Sequence, residues 1–185
     1  MRITKAVWSA AAALAVACAA PGTSVAQVSV TTYHNDIART GQNTRETVLS
    51  PANVNVNQFG KLFTVPVDSS VFAQPLYVPA VTIATGSVNG TFNVLYVATE
   101  HDSVYAIDAD SGTVYWQASL IPAGGRTVVG DPDIGAGCND TLPEIGITGT
   151  PVIDPVAGVL YVVSKAIVAG SAVQSLHALD LGSGA

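Results

Sequence analysis

Residues Ala106-Ile-Asp-Ala-Asp-Ser-Gly-Thr-Val-Tyr-Trp116 decide how the rest of this chain is read. Their pattern returns seventy-two positions later as Ala178-Leu-Asp-Leu-Gly-Ser-Gly-Ala185. In the first copy, Val104 and Ala106 alternate onto one side of a strand, and Asp108 and Ser111 suit backbone hydrogen bonds across a tight turn. Gly112 is free to take a positive φ in that turn. The turn delivers Trp116 onto a following strand, where a large ring packs on a neighbouring sheet. That structural role is preferred to ligand stacking.

The recurrence extends beyond these residues. Ala73-Gln-Pro75-Leu-Tyr-Val78, Val94-Leu95-Tyr-Val-Ala-Thr99 and Ser103-Val-Tyr-Ala106-Ile-Asp108 are followed in the same order by Gly149-Thr-Pro151-Val-Ile-Asp154, Val159-Leu160-Tyr-Val-Val163 and Ser175-Leu-His-Ala178-Leu-Asp180. Each run is short, β-branched or aromatic, and bounded by Gly, Pro, Asp or Ser, the signature of antiparallel strands. The offsets between copies are 76 at Pro75, 65 at Leu95 and 72 at Ala106. They place extra residues between the first two strands of the first copy and between the second and third strands of the second, read as longer surface loops.

Composition fits this organisation. Nearly half of the 185 residues are hydrophobic, 11% are charged, and 17 Gly and 10 Pro favour short strands joined by turns. Arg2 and Lys5, the apolar run Ala6–Ala20 and the small-x-small pattern Ser24-Val-Ala26 read as a secretory signal peptide over residues 1–26. The run is too short for a transmembrane anchor, and lipidation at Cys18 is a weaker alternative because the expected leucine three residues earlier is missing. Without the leader, five basic residues face thirteen acidic ones, a formal charge of −8 that repels phosphate backbones and argues against nucleic-acid binding. Cys138 is then the only cysteine, so no internal disulfide is expected. The expected location is the periplasm or the extracellular space.

Ala106, Asp108, Ser111, Gly112 and Trp116, with the partial copy Ala178, Asp180, Ser183 and Gly184, resemble the tryptophan-docking motif of pyrroloquinoline-quinone-type β-propellers. The resemblance implies an all-β fold: a partial propeller of about two four-stranded antiparallel blades plus an N-terminal segment, with the ring not closed. Gly60–Val67 looks like the last strand of a preceding blade, with Phe63 where a Trp is often found, and Tyr33–Gly41 resembles an opening segment that pairs with the last blade. The expected organisation is an N-terminal segment over 27–72, a blade over 73–117, a long inter-blade loop over 118–148 and a truncated second blade over 149–185. Such rings need about four to eight blades, so the expectation is the front part of a longer propeller whose remaining blades complete it.

Candidate chemistry gathers in the connections. Glu100-His101-Asp102 places two carboxylates around an imidazole, a metal-binding or acid/base outline, but a turn between strands is the preferred reading. Asp131, Asp133, Asn139 and Asp140 offer hard oxygen donors of the kind calcium takes, although their spacing is not that of an EF-hand and a surface loop is preferred. Gln74 and Thr150 suit backbone satisfaction around a channel mouth, and His177 suits packing where the first copy has Tyr105.

Quinone-dependent dehydrogenases that this chain resembles hold calcium with a Glu, an Asn and an Asp and stack the cofactor on a disulfide between adjacent cysteines. Glu144 matches by position alone, and no Cys-Cys pair occurs. The functional expectation is therefore an exported binding or scaffolding module without catalytic activity of its own, its protein or small-molecule partner unspecified. The alternative is the N-terminal part of a periplasmic quinone-dependent dehydrogenase for alcohols or sugars. A third reading, an adhesin-like β-sandwich, is disfavoured by the pattern ending in Trp116.

Overall fold

The structure, a computed structural model, describes residues 28–135 and 143–185, omitting the side chains of Asp131 and Ile134; the leader, Cys18, Cys138, Asn139 and Asp140 lie outside the described residues. The first sheet is an antiparallel meander of β1 (Leu76–Thr85), β2 (Val88–Ala98), β3 (Ser103–Asp108) and β4 (Val114–Ser119). After it come β5 (Arg126–Thr127), the single helical turn α1 (Gly130–Ile134), β6 (Val152–Asp154), β7 (Val159–Val168) and β8 (Ser171–Asp180). In the second sheet β7 pairs with β8 on one side and with both β5 and β6 on the other.

The second sheet therefore reaches four strands in an unexpected way. Its fourth member is β5, recruited from the stretch expected to be an inter-blade loop, and not a strand following β8. Buried Leu120, Val128 and Ile147 anchor the described parts of that stretch, and Val128 bridges Ile145.

The extra residues in each copy are also not loops. In the first they lengthen the β1–β2 hairpin, which closes through Gly86 at φ +55°. In the second, the expected loop Ser164–Ser175 continues β7 into β8, register intact from Val159↔Asp180 to Val168↔Ser171. Ala169 and Gly170 both have positive φ, the backbone that two-residue hairpin turns require, and β-branched residues on either side keep the strands paired.

The two repeated turns are built alike. Asp108 Oδ1 accepts hydrogen bonds from the backbone N–H of Asp110 and Ser111, at 2.8 and 3.2 Å, and Asp180 Oδ1 does so from Gly182 and Ser183, at 3.0 and 2.9 Å. Gly112 and Gly184, at φ +78° and +73°, each donate to the carbonyl four residues back. A short Asp at the head of the turn and a residue free of Cβ at its end are what this backbone needs.

The core lies between the sheets. Leu76, Tyr96, Val104 and Ala106 of the first meet Ile153, Leu160, Val162 and Leu179 of the second in one buried cluster with Trp116. The N-terminal segment ties both sheets at their first strands: Val30 exchanges hydrogen bonds with Tyr77 at 2.8 and 2.9 Å, and the Thr31 carbonyl accepts from Ile153 N at 2.8 Å. No helix among the described residues is long and apolar enough to cross a membrane.

Candidate functional site

The connection Thr99–Ser103 between β2 and β3 is where the expected chemistry gathers, and the structure makes it a buried turn. Thr99, Glu100, Asp102 and Ser103 are fully or almost fully buried. The backbone of Glu100 donates to Ser70, that of Ile147 to Thr99 and that of Leu120 to Asp102, so four segments meet there. Asp102 sits at φ +54°, a conformation that Asp tolerates better than most residues because its short side chain bonds locally.

The three residues of Glu100-His101-Asp102 part company. Glu100 Oε2 accepts from Gly146 N at 2.7 Å and from Thr148 Oγ1 at 3.0 Å. Asp102 Oδ1 accepts from the backbone N–H of Lys165 on β7 at 3.2 Å. The remaining oxygens, Glu100 Oε1 and Asp102 Oδ2, are buried with no partner among the described residues. Burial drives the Asp102 carboxyl up to about 6, with the neighbouring charge of Glu100 adding to the rise.

His101 turns outward, and its Nδ1 lies 2.9 Å from Glu144 Oε2. The bond to Glu144 raises the imidazole against a smaller opposing effect of burial. Burial alone would raise Glu144; hydrogen bonds from Ser69 and His101 outweigh it and hold the carboxyl below its ordinary value. Glu144 and His101, forty-three residues apart in sequence, are thus brought together, whereas Glu100 and Asp102 are used as backbone acceptors that tie the second sheet to the first.

Three participants were not visible as candidates in the sequence. Asp68 accepts from Thr99 Oγ1 at 2.7 Å and from Ser103 Oγ at 2.6 Å, closing the turn from beneath. Burial pushes the Asp68 carboxyl up, and these hydroxyls reverse the shift and hold it low. Gly146 packs so closely that a Cβ there would stand 2.4 Å from the Glu100 carbonyl and 2.7 Å from Asp102 Oδ1. A glycine between Ile145 and Ile147 was the available signal, since Gly inside an apolar run marks a close backbone approach. Lys165 contributes its backbone N–H, a role that no side-chain pattern reveals.

The other candidates stay apart from this cluster. Asp133 faces Arg126 through two 2.6 Å contacts and also accepts from Val129 N, which lowers it to about 2. Both of its oxygens are engaged in these contacts; Asp131 lies in α1, and no described group of His, Cys, Asp or Glu is arranged to hold a metal ion. Gln74 and Thr150 meet, with Gln74 N donating to Thr150 Oγ1 at 2.9 Å and Gln74 Oε1 accepting from His34 N at 3.0 Å. His177 Nε2 lies 2.8 Å from Ser164 Oγ across the β7–β8 pair. Beside the Glu100 turn, Gly146, Thr148, Ser164, Lys165 and Gln174 line a hollow of about 340 Å³ open to solvent.

Comparison with protein-family models, with curated proteins and with solved structures gives no match to this chain.

Proposed function

We propose that this chain is an exported β-propeller repeat protein that acts as a binding or scaffolding module, with no catalytic step of its own in the portion described. The observation that carries the proposal is a dock used twice. Trp116 donates its indole N–H to the Leu181 carbonyl at 3.1 Å, and its ring lies so close to Gly184 that a Cβ there would stand 2.6 Å away. Phe63 lies against Gly112 in the same way, where a Cβ would meet its ring at 2.8 Å. An aromatic ring on one segment thus rests on the glycine turn of the next repeat, twice in succession.

The direction of stacking supports blades over a sandwich. A sandwich buries the two inner faces of its sheets against each other. Here Val104 is fully buried in the first sheet, while its repeat equivalent Leu176 is 73% exposed in the second. Buried Leu160 of the second sheet corresponds to Leu95, which lies on the other face of the first. One face of a repeat meets the opposite face of the next, which is head-to-tail stacking of successive repeats.

The binding reading directs attention to the hollow beside Gly146, Thr148 and Lys165, where backbone and hydroxyl groups reach solvent at the connections between strands. The full-length protein, purified after export, is titrated with pyrroloquinoline quinone and calcium and assayed for dye-linked oxidation of alcohols and sugars. No turnover is expected. Stoichiometric quinone binding with turnover would overturn the non-catalytic reading in favour of the dehydrogenase.

A further inference from the structure

The segment that ties the two sheets at their first strands continues into a loop with an unusual backbone. His34, Asn35 and Arg39 have φ of +55°, +68° and +58°, half of the six non-glycine residues with positive φ among the described residues. Such backbone is strained, persists only where the surroundings over-determine it, and gathers at ligand sites. Here the His34 carbonyl accepts from Asp36 N and Gly41 N, and the Asp36 carboxylate accepts from the backbone N–H and the hydroxyl of Thr40.

What the loop positions is Arg39. Its Nη1 donates to the buried Thr32 hydroxyl at 2.6 Å and to the Tyr33 carbonyl at 2.7 Å, and the guanidinium lies 5.9 Å from the centre of the Tyr33 ring. Both acceptors are neutral. The ion pairs among the described residues are His101–Glu144 and Arg126–Asp133, so Arg39 has no carboxylate partner there, in a chain with thirteen acidic residues to seven basic ones. The N–H groups on its Nε and Nη2 have no acceptor among the described residues.

Arg39 lines a hollow of about 390 Å³ together with Thr32 and Tyr33 of its own segment, Phe72 ahead of the first sheet, and Thr148 and Thr150 ahead of the second. Two of the hydroxyls are complementary. Thr148 Oγ1 donates to Glu100 Oε2 at 3.0 Å and keeps lone pairs, while Thr150 Oγ1 accepts from Gln74 N at 2.9 Å and keeps its proton. Phe72 adds an apolar surface. In the repeat it holds the place of Thr148, seventy-six positions earlier, and it is 52% exposed although the second sheet lies against the first. This position of the repeat therefore stays open with a neighbouring sheet in place.

We infer that this hollow binds a small hydroxycarboxylate, an anion with a carboxylate and hydroxyl groups on one short carbon skeleton. The carboxylate takes the fork of Nε and Nη2 on Arg39, whose planar geometry matches it with two parallel hydrogen bonds. One ligand hydroxyl donates to Thr148 Oγ1, another accepts from Thr150 Oγ1, and the carbon skeleton lies on Phe72. The inference rests on the binding reading of this chain, to which it gives a ligand class, and it requires no particular number of repeats.

The full chain, with Trp8 replaced by phenylalanine, is titrated by calorimetry with D-galacturonate, D-galactose and acetate. Galacturonate is expected to bind about tenfold or more tightly than galactose, which lacks the carboxylate, and than acetate, which lacks the hydroxyls. Arg39→Met should weaken galacturonate about tenfold or more. Because Arg39 also braces its own loop, Phe72→Ala, at a half-exposed ring, serves as a second variant and should weaken it about threefold or more. No galacturonate binding, equal affinity for galactose or acetate, or an affinity that neither variant changes overturns the inference. Trp116 emission separates the two levels. A buried indole without galacturonate binding overturns the ligand class alone, and a solvent-exposed indole overturns the repeat dock beneath it as well.

Discussion

The indole N–H of Trp116, on the last strand of the first sheet, donates to the carbonyl of Leu181, just past the last strand of the second, at 3.1 Å. The same carbonyl accepts from the Tyr96 hydroxyl at 2.9 Å. Sixty-five residues of chain are closed by this contact, and the burial of Trp116 and Tyr96 makes it a joint of the core. Burial and the nearby Asp180 carboxylate raise the Tyr96 hydroxyl, so it remains a donor.

Trp116→Phe keeps the ring and removes the N–H. Because Tyr96 still serves the Leu181 carbonyl, the expected loss is about 1 kcal/mol. Trp116→Ala removes the ring as well and is expected to cost about 3–5 kcal/mol. Urea unfolding of the two variants measures both, and equal losses would show that the ring contributes nothing to the joint.

Gly184 and Gly158 form a matched pair. Both have positive φ, +73° and +70°, but a Cβ at Gly158 meets nothing within 4 Å while one at Gly184 meets the Trp116 ring at 2.6 Å. Gly158→Ala should cost only the left-handed backbone, about 1 kcal/mol. Gly184→Ala should cost a further ~1–3 kcal/mol for the displaced ring. The difference in denaturation midpoint measures the dock, and no difference would mean that Trp116 does not rest on the turn.

The buried turn gives stability a pH dependence with a definite sign. Asp102 titrates at about 6 when folded against an ordinary 3.8, so between those values the folded state holds a proton that the unfolded chain has released, and stability falls as pH rises. His101 is raised by Glu144, so its contribution is full below its ordinary 6.5 and is lost as pH climbs through the raised value. Asp68 and Glu144 are lowered, so their contributions are present above the ordinary carboxylate range and are lost as pH falls through the lowered values. Stability should peak at mildly acidic pH. Asp102→Asn should flatten the decline between about 4 and 6 and gain about 1–3 kcal/mol at pH 7. An unchanged profile in urea titrations across pH would sink this account. Glu144→Gln should bring the His101 titration, followed by NMR, back towards its ordinary value.

Gly146 packs against the Glu100 turn with no room for a Cβ, which would stand 2.4 Å from the Glu100 carbonyl. Gly146→Ala should lose about 1–3 kcal/mol by overpacking against the Glu100 carbonyl. Glu100→Ala should lose a similar amount, about 1–3 kcal/mol, because the Gly146 N–H and the Thr148 hydroxyl lose their acceptor. Thermal unfolding of both variants checks this; full stability in either would show that the turn does not bind the two sheets.

Much of the fold was legible because its signals are local. Alternating β-branched runs, Asp at the head of each turn and Gly at its end marked β1 to β4 and the strands β6 to β8. The lengths of the hairpins were not legible, since Ala169 and Gly170 do not announce that Ser164–Val168 continues to pair with Ser171–Ser175. Nor was β5, whose two residues carry no period and become a strand only because β7 is long enough to receive them. In the candidate site, Glu100, His101, Asp102 and Glu144 were visible as residue types, and the preference for a turn agrees with their burial and backbone bonding. Asp68, Gly146 and the Lys165 N–H were not, because their roles depend on partners that sequence spacing does not bring near.

By itself the sequence determined the repeat, the turn chemistry and the placement of Trp116 at the end of a strand, since all three follow from the backbone preferences of neighbouring residues. The tertiary structure alone decided which faces are buried. Leu76 and Val152, or Val104 and Leu176, occupy equivalent places in the repeat, yet one of each pair lies in the core and the other at the surface. Hydrophobicity drives a residue out of water without naming the surface it meets. The choice is visible only in the folded chain, where the first sheet lies against the second and Trp116 rests on the Gly184 turn.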